Sequence, residues 1–325
     1  MTSLSVLDLV MIGEGKELAD SLQDALRLAR HVEWNGYQRY WVAEHHNMPG
    51  IGSAATSLVI SHLAAGTATL RIGSGGIMLP NHSPLVVAEQ FGTLDSLYPG
   101  RIDLGVGRAP GADSATSHAV RGANTAARDL AEDVALLQGY LSDDGSQSIR
   151  AIPGRRDVPI WILGSGIYGA HLAAAMGLPF AFASHFAPQL LWQAVAAYRQ
   201  NFKPSEHLAR PYLTLGVNAF AAETREEAAF LASSHFQWVA NLHSGNPGPL
   251  PKPVDGFVES LSESARYRLM QELSCIAIGT KIEVGNWLRK FIEETGADEL
   301  MIDARIFDVA ARCRSYELVA ASLAQ

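Results

Sequence analysis

Leu70-Arg71-Ile72-Gly73-Ser74-Gly75-Gly76-Ile77-Met78, followed after a short turn by Pro84-Leu85-Val86-Val87-Ala88-Glu89-Gln90-Phe91, carries the pattern that decides the fold. The first stretch is apolar without alternating, the mark of a strand covered on both faces. The second, opened by proline and running to residue 97, reads as a helix. A strand of this kind followed directly by a helix is the repeating unit of a parallel sheet.

The same alternation extends in both directions from this unit. Upstream, a strand at 4–11 precedes a helix at 18–34, and a strand at 40–43 precedes a helix at 54–65. Downstream, the pairs are 102–106 with 125–141, 160–163 with 168–176, 180–183 with 188–202, 212–221 with 224–242, and 300–302 with 309–323. Eight such units predict a (β/α)₈ TIM barrel in one domain spanning residues 1–325, with insertions in the βα loops. The 325 residues exceed the roughly 250 of a plain barrel. The excess falls in 108–124, 142–158 and 243–280. In the last of these Pro247, Pro249, Pro251 and Pro253 exclude a helix, and the stretch is read either as a cover over the barrel mouth or as a passive surface excursion.

Composition removes several functions. Apolar residues make up 48% and charged residues 18%, which fits a large packed core. With 25 Lys+Arg against 33 Asp+Glu the net charge is -8, and no basic run exists for a phosphate backbone, so nucleic acid is not expected as a partner. Cys275 and Cys313 are too few and too far apart for a disulfide framework or a zinc site, and no metal is expected. The chain opens without a basic leader and holds no apolar run of membrane-spanning length, so a cytoplasmic protein off the membrane is expected.

In a barrel, chemistry belongs at the C-terminal ends of the strands. After the second strand stand Glu44, His45 and His46. Successive side chains diverge there, so at most one imidazole faces the mouth. Glu44 beside a histidine suits proton transfer near neutral pH, raising the imidazole pKa; a histidine held by backbone hydrogen bonds is the alternative. Gly73, Gly75 and Gly76 mark close approach of a flat ligand or of another backbone. Gly107 and Arg108 offer room and a cation at the next strand end. Gly164-Ser165-Gly166-Ile167-Tyr168-Gly169 has the form of a dinucleotide fingerprint, but no acidic residue occurs from 158 to 205 to hold a ribose. A phosphate at a helix N-terminus is what remains, and a mononucleotide fits it better. Ala183, Ser184 and His185 end the following strand, leaving room for a ring, with capping or core packing as the alternative for His185. No nucleophile elbow is present, which disfavours a hydrolase.

Several of these segments together resemble the luciferase-like flavin monooxygenases of bacteria, in their small single-chain form. The resemblance lies in Tyr40-Trp41-Val42-Ala43-Glu44-His45-His46, in Gly73-Ser74-Gly75-Gly76-Ile77-Met78-Leu79-Pro80-Asn81-His82, in Ala88-Glu89-Gln90-Phe91-Gly92-Thr93-Leu94-Asp95 and in Pro99-Gly100-Arg101-Ile102-Asp103-Leu104-Gly105-Val106-Gly107-Arg108. It continues through 180–186 to 296–300 and covers nearly the whole chain.

The resemblance implies FMN at the barrel mouth, reduced by a separate flavin reductase, and reaction with O₂ to a flavin 4a-hydroperoxide that oxygenates a small organic substrate. It implies Glu44 and His45 as the catalytic pair, with His45 moving the proton, and a site at Gly75-Gly76 where the family can hold a non-proline cis peptide. Gly164, Ser165 and Gly166 match its phosphate turn, although relatives often carry serine where this chain has Gly166. A homodimer through the early helices is also implied. The family includes deazaflavin-dependent hydride-transfer enzymes, for whose longer anionic tail Arg108, Arg155 and Arg156 are the candidates, and non-catalytic flavin-binding proteins.

Overall fold

The computed structural model describes residues 2–108, 114–121, 129–142, 148–154 and 156–324. Strands and helices alternate from the start: β1 (Ser3–Asp8), α1 (Leu18–Trp34), β2 (Arg39–Val42), α2 (Thr56–Ala65), β3 (Arg71–Met78), α3 (Pro84–Leu97) and β4 (Ile102–Gly107). Next come α4 (Ser114–Arg121), α5 (Leu130–Ser142), β5 (Ile160–Gly164), α6 (Ile167–Met176), β6 (Phe180–Phe182), α7 (Leu191–Asn201), β7 (Leu213–Ala222) and α8 (Arg225–His243). The chain closes with α9 (Phe257–Ser260), α10 (Glu263–Glu272), β8 (Ile276–Thr280), α11 (Lys281–Thr295), β9 (Glu299–Asp303) and α12 (Val309–Leu323).

All pairings are parallel, and eight strands close on themselves in the order β1 to β7 followed by β9. Closure is made by Leu4 against Leu300, and by Phe180 against Leu213. The fold is therefore a TIM barrel. Every residue of β4 and of β7 is buried, as the unbroken apolar runs require.

One strand was not expected. β8 lies inside the segment 243–280, read from sequence as an aperiodic insertion, and pairs outside the barrel with the second half of β7 from Asn218↔Ile276 to Ala222↔Thr280. The ten residues of β7 make this possible: its first half pairs with β9 up to Asn218↔Asp303, and its second half projects beyond the barrel. The short alternating-burial run Ile276–Thr280 lacked the continuous apolar character of its neighbours. The helix expected at 125–141 is seen from Leu130; its expected start lies outside the described residues.

The proline-bearing stretch contains no helix and lies on the C-terminal face. The Leu250 N–H donates to the Ile12 carbonyl at 2.8 Å, and the Glu14 N–H to the Leu250 carbonyl at 3.0 Å. Trp238 Nε1 donates to the Gly248 carbonyl at 3.1 Å. This is the side of the barrel on which a cover over the mouth is expected.

Toward the N-terminal ends of the strands the barrel is filled by charge. Arg39 donates to Glu299 and Asp103, each at 2.7 Å, with its guanidinium 4.7 Å from the Trp161 ring. Arg71 also pairs with Asp103, at 2.5 Å, and Trp41 Nε1 donates to the same carboxylate at 3.1 Å. Asp103 and Glu299 are completely buried, and these arginines, Trp41 and the Tyr212 hydroxyl, which donates to Glu299 at 3.0 Å, supply their partners there.

Candidate active site

Glu44 stands two residues beyond β2 and is buried. Its carboxylate accepts from the Met78 N–H at 2.9 Å, from His46 Nε2 at 2.8 Å and from His82 Nε2 at 2.9 Å. Burial alone would raise its pKa, but His82, the Met78 N–H and His46 together hold it below the ordinary carboxylate range. Glu44 thus ties the end of β2 to the irregular end of β3, where the register shifts between Gly75 and Ile77 and the Gly75–Gly76 peptide is cis.

The expected lift of His45 by Glu44 is outweighed. His45 is pushed down to about 4, first by burial and then by the positive charge of Arg305; the pull of Glu44 in the other direction is minor. The two adjacent imidazoles diverge as strand geometry requires: His46 turns to Glu44, and His45 toward the barrel interior, within electrostatic reach of Arg305 and His185. His82 is the partner of Glu44 that sequence reading missed. It lies inside a quoted motif, but nothing in its spacing announced a contact with a residue 38 positions away.

The glycines divide into two groups. A Cβ on Gly73 would sit 2.5 Å from the Asp103 carbonyl, on Gly75 2.7 Å from Leu7 Cδ1, and on Gly76 2.7 Å from the Gly105 carbonyl. At Gly73 and Gly76 the approaching atoms are backbone carbonyls that cannot yield, so glycine there is required by the barrel's own packing; at Gly75 they are side-chain atoms of Leu7 and Trp41. Gly107 and Gly166 differ: an added Cβ on buried Gly107 would make an ordinary contact with Met78 Sδ at 3.6 Å, and one on Gly166 would meet nothing within 4 Å, so Gly166 borders open space.

A second part of the site forms where β4, β5 and β6 end. The Ala183 N–H donates to the Gly164 carbonyl at 2.9 Å, bringing those two strand ends together. Gly166 is the N-cap of α6 and supplies no side-chain cap, whereas Thr224, Thr280 and Asp308 cap α8, α11 and α12. The first amides of α6 therefore point outward uncapped, with the positive end of the helix dipole behind them. Arg108 lies at the same place, its guanidinium 4.7 Å from the Tyr168 ring, and Ser165 is exposed beside it. Uncapped amides, a hydroxyl and a cation are the donors a phosphate needs, and open space lies at Gly166.

Ser184 does not face this opening. It is fully buried, and its hydroxyl donates to the Gly216 carbonyl at 2.6 Å. His185, also buried, has its ring against Gly216, where an added Cβ would come 2.1 Å from Nδ1. Burial, with help from Arg305 and His45 and against the pull of Asp303, pushes it down to about 4. His235 on α8 belongs to the same group. It is pushed to about 3 by burial and Arg305 against the opposing pull of Asp303, and sequence reading gave it no role, because helical spacing alone does not reveal which face meets a polar partner. Arg305 is bound by Asp303 at 2.8 Å and lies 4.5 Å from the Trp238 ring. Of the arginines considered for a longer anionic tail, Arg155 lies outside the described residues, and Arg156 is held to the end of α5 by its N–H on the Leu141 carbonyl at 2.8 Å.

Among the described residues no helix is long and apolar enough to cross a membrane. Cys275 and Cys313 are both free and buried.

A model of the luciferase-like monooxygenase family matches residues 3–299. A luciferase-like monooxygenase of Escherichia coli K12 is 49% identical over 322 residues, covering 97% of this chain and 95% of that protein. The crystal structure of apo-MsnO8 superposes with a TM-score of 0.88 at 34% identity, over 99% of this chain and 98% of that one. The oxygenating constituent of 3,6-diketocamphane monooxygenase from Pseudomonas putida, in complex with FMN, shares the fold with a TM-score of 0.71 at 15% identity, over 100% of this chain and 98% of that one. With a matching profile over most of its length and a relative at 49% identity, the chain belongs to the luciferase-like monooxygenase family.

Proposed function

We propose that the protein is an FMN-dependent monooxygenase that receives FMN already reduced by a separate flavin reductase and uses O₂ to oxygenate a small organic substrate. The observation that carries this reading is the uncapped start of α6, with Arg108 beside Tyr168. Gly164, Ser165, Gly166 and Arg108 would hold the phosphate. Gly75, Gly76 and Gly107 would line one side of the ring, and Ala183, Ser184 and His185 the other, Ser184 through its backbone. Reduced FMN supplies the electrons with which O₂ is activated.

His45 acts as the proton carrier. Burial and Arg305 keep it neutral at pH 7, so a ring nitrogen is free to take a proton from a reacting group. Glu44 acts by positioning, since its carboxylate fixes Met78, His46 and His82 and with them the strand end carrying Gly75 and Gly76.

The working assembly is a homodimer through the early helices, supported by exposed Leu58 on α2 and by Val86 and Leu97 on α3. Two buried free thiols suit a reducing compartment such as the cytoplasm. A gel-filtration mass of one 34.9 kDa chain would refute the dimer.

Titration with FMN, followed by flavin fluorescence, tests the cofactor. Arg108→Ala removes a charge-assisted contact and should weaken binding by about tenfold or more. Unchanged affinity in the variant, or binding of a reduced deazaflavin in preference to reduced FMN, would overturn the reading.

A further inference from the structure

On the outer flank of the barrel, α1 and α12 leave between them an open groove of about 670 Å³. Its floor holds the buried side chains of Leu26 and Cys313, and its walls carry Arg27, Arg30 and Arg314, with Trp34 at the end of α1. The lining positions of α1 run from Gln23 to Trp34. At about 1.5 Å per residue that is about 17 Å of helix, room for about five residues of extended chain. Trp34 is 91% exposed, more than any other large apolar side chain among the described residues. A tryptophan held out in water beside a groove, with arginines around it, has the composition of an interface anchor.

Charge indicates what fits there. Three arginines face a single lining acid, Glu317, on a chain whose net charge is -8. Arg314 is already committed, donating to Glu317 and to Glu223 at 2.7 Å each. Arg30 gives its Nε to the Gly66 carbonyl at 2.8 Å and keeps its terminal nitrogens free among the described residues. Arg27 is exposed and makes no hydrogen bond or ion pair among them. Two guanidinium groups thus stand open beside an apolar floor and an exposed indole. Such groups bind carboxylates through paired N–H donors, and a positive groove on an otherwise acidic molecule attracts acidic groups selectively. The groove lies on the α12 side of α1, whereas α2 packs on the other side, so a dimer through α2 and α3 leaves it open.

We propose that the groove between α1 and α12 is a docking site for an acidic segment of a partner protein, its carboxylates on Arg27 and Arg30 and its apolar side chains on Leu26 and Trp34. A segment of chain suits the length of the groove and can cover Trp34, which a small molecule seated on the floor would leave in water. The inference stands apart from the flavin reading, because the groove lies between helices on the outside of the barrel and shares no residue with its mouth.

The full-length protein is titrated against three rhodamine-labelled peptides, followed by fluorescence anisotropy: acetyl-Glu-Glu-Leu-Glu-Glu-Phe-Glu-Glu, and the same sequence with glutamine or with lysine in place of every glutamate. The acidic peptide should bind about tenfold tighter than the neutral one or better, the basic one should bind weakest, and raising the salt from about 0.05 to about 0.5 M should erase most of the difference. Arg27→Glu and Trp34→Ala should each weaken the acidic peptide by about tenfold or more. Lys290→Glu, the reversal of an exposed charge on α11, should leave it unchanged. Both groove side chains are exposed, so the variants should melt as the native protein does, and the comparison of peptides on the native protein requires no variant. Equal binding of the three peptides, or unchanged affinity in Arg27→Glu or in Trp34→Ala, would overturn the proposal. A protein that sediments as a dimer by itself, and as a monomer once Trp34 is replaced, would give the groove to a second copy and overturn the partner assignment. Naphthoate binding as tightly as the acidic peptide and displacing it would give the groove to a small organic anion, and the docked segment would fall.

Discussion

Lowering the pH from 7 to 5 should destabilise the fold through the imidazoles around Arg305. His45 and His185 titrate at about 4 and His235 at about 3 when folded, whereas an imidazole in the unfolded chain titrates near about 6.5. Above that value neither state carries a proton on these groups, and their contribution to stability is fully present. As the pH falls through 6.5 toward 4 the unfolded chain takes up protons that the folded chain refuses, so stability is lost on acidification. Linkage gives about 2 kcal/mol per imidazole between pH 7 and pH 5, and about 6 kcal/mol for the three if the barrel mouth stays rigid. That is comparable with the whole stability of an ordinary domain, about 5–15 kcal/mol. Urea denaturation of the native protein and of His235→Phe at both pH values provides the assay. The variant should lose about 2 kcal/mol less on acidification, other titrating groups cancelling in the comparison. The same pH dependence in both proteins would show that His235 is not held neutral by its surroundings and would refute the reasoning.

His45→Ala should cut turnover by at least about a hundredfold, the ordinary reach of acid–base catalysis, while FMN affinity measured by fluorescence stays unchanged. Turnover of the native protein should show no acid limb from His45 above about pH 5, because that imidazole titrates at about 4. Glu44→Ala leaves the Met78 N–H, His46 and His82 without their shared acceptor and should lower stability by about 1–3 kcal/mol, read by urea denaturation. Arg39→Ala removes the link between two buried carboxylates and should cost about 3–5 kcal/mol; a loss no larger than that of an exposed arginine would show the charged plug to be dispensable.

The barrel was legible in the sequence because parallel strands buried on both faces leave long, mainly apolar runs, and β4 and β7 are of that kind. β8 escaped because it pairs on one side only, outside the barrel, and alternates in burial. Legibility at the site followed chain proximity. Gly164, Ser165 and Gly166 announced the uncapped start of α6 by themselves, whereas the grip of Glu44 on His82, the pairing of Asp303 with Arg305 and the inward turn of His235 depend on contacts made only on folding. The glycines at 73, 75 and 76 signalled a close approach correctly, and the approaching atoms include the Asp103 and Gly105 carbonyls and the Leu7 side chain.

The central claim, that this barrel mouth governs the reaction of reduced FMN with O₂, is tested most directly by stopped flow. Protein loaded with photoreduced FMN is mixed with oxygenated buffer, and flavin absorbance is followed without substrate. Reoxidation markedly slower than that of free reduced FMN, and slower than in Arg108→Ala, is the predicted result. Reoxidation at the rate of the free flavin in both proteins would contradict it.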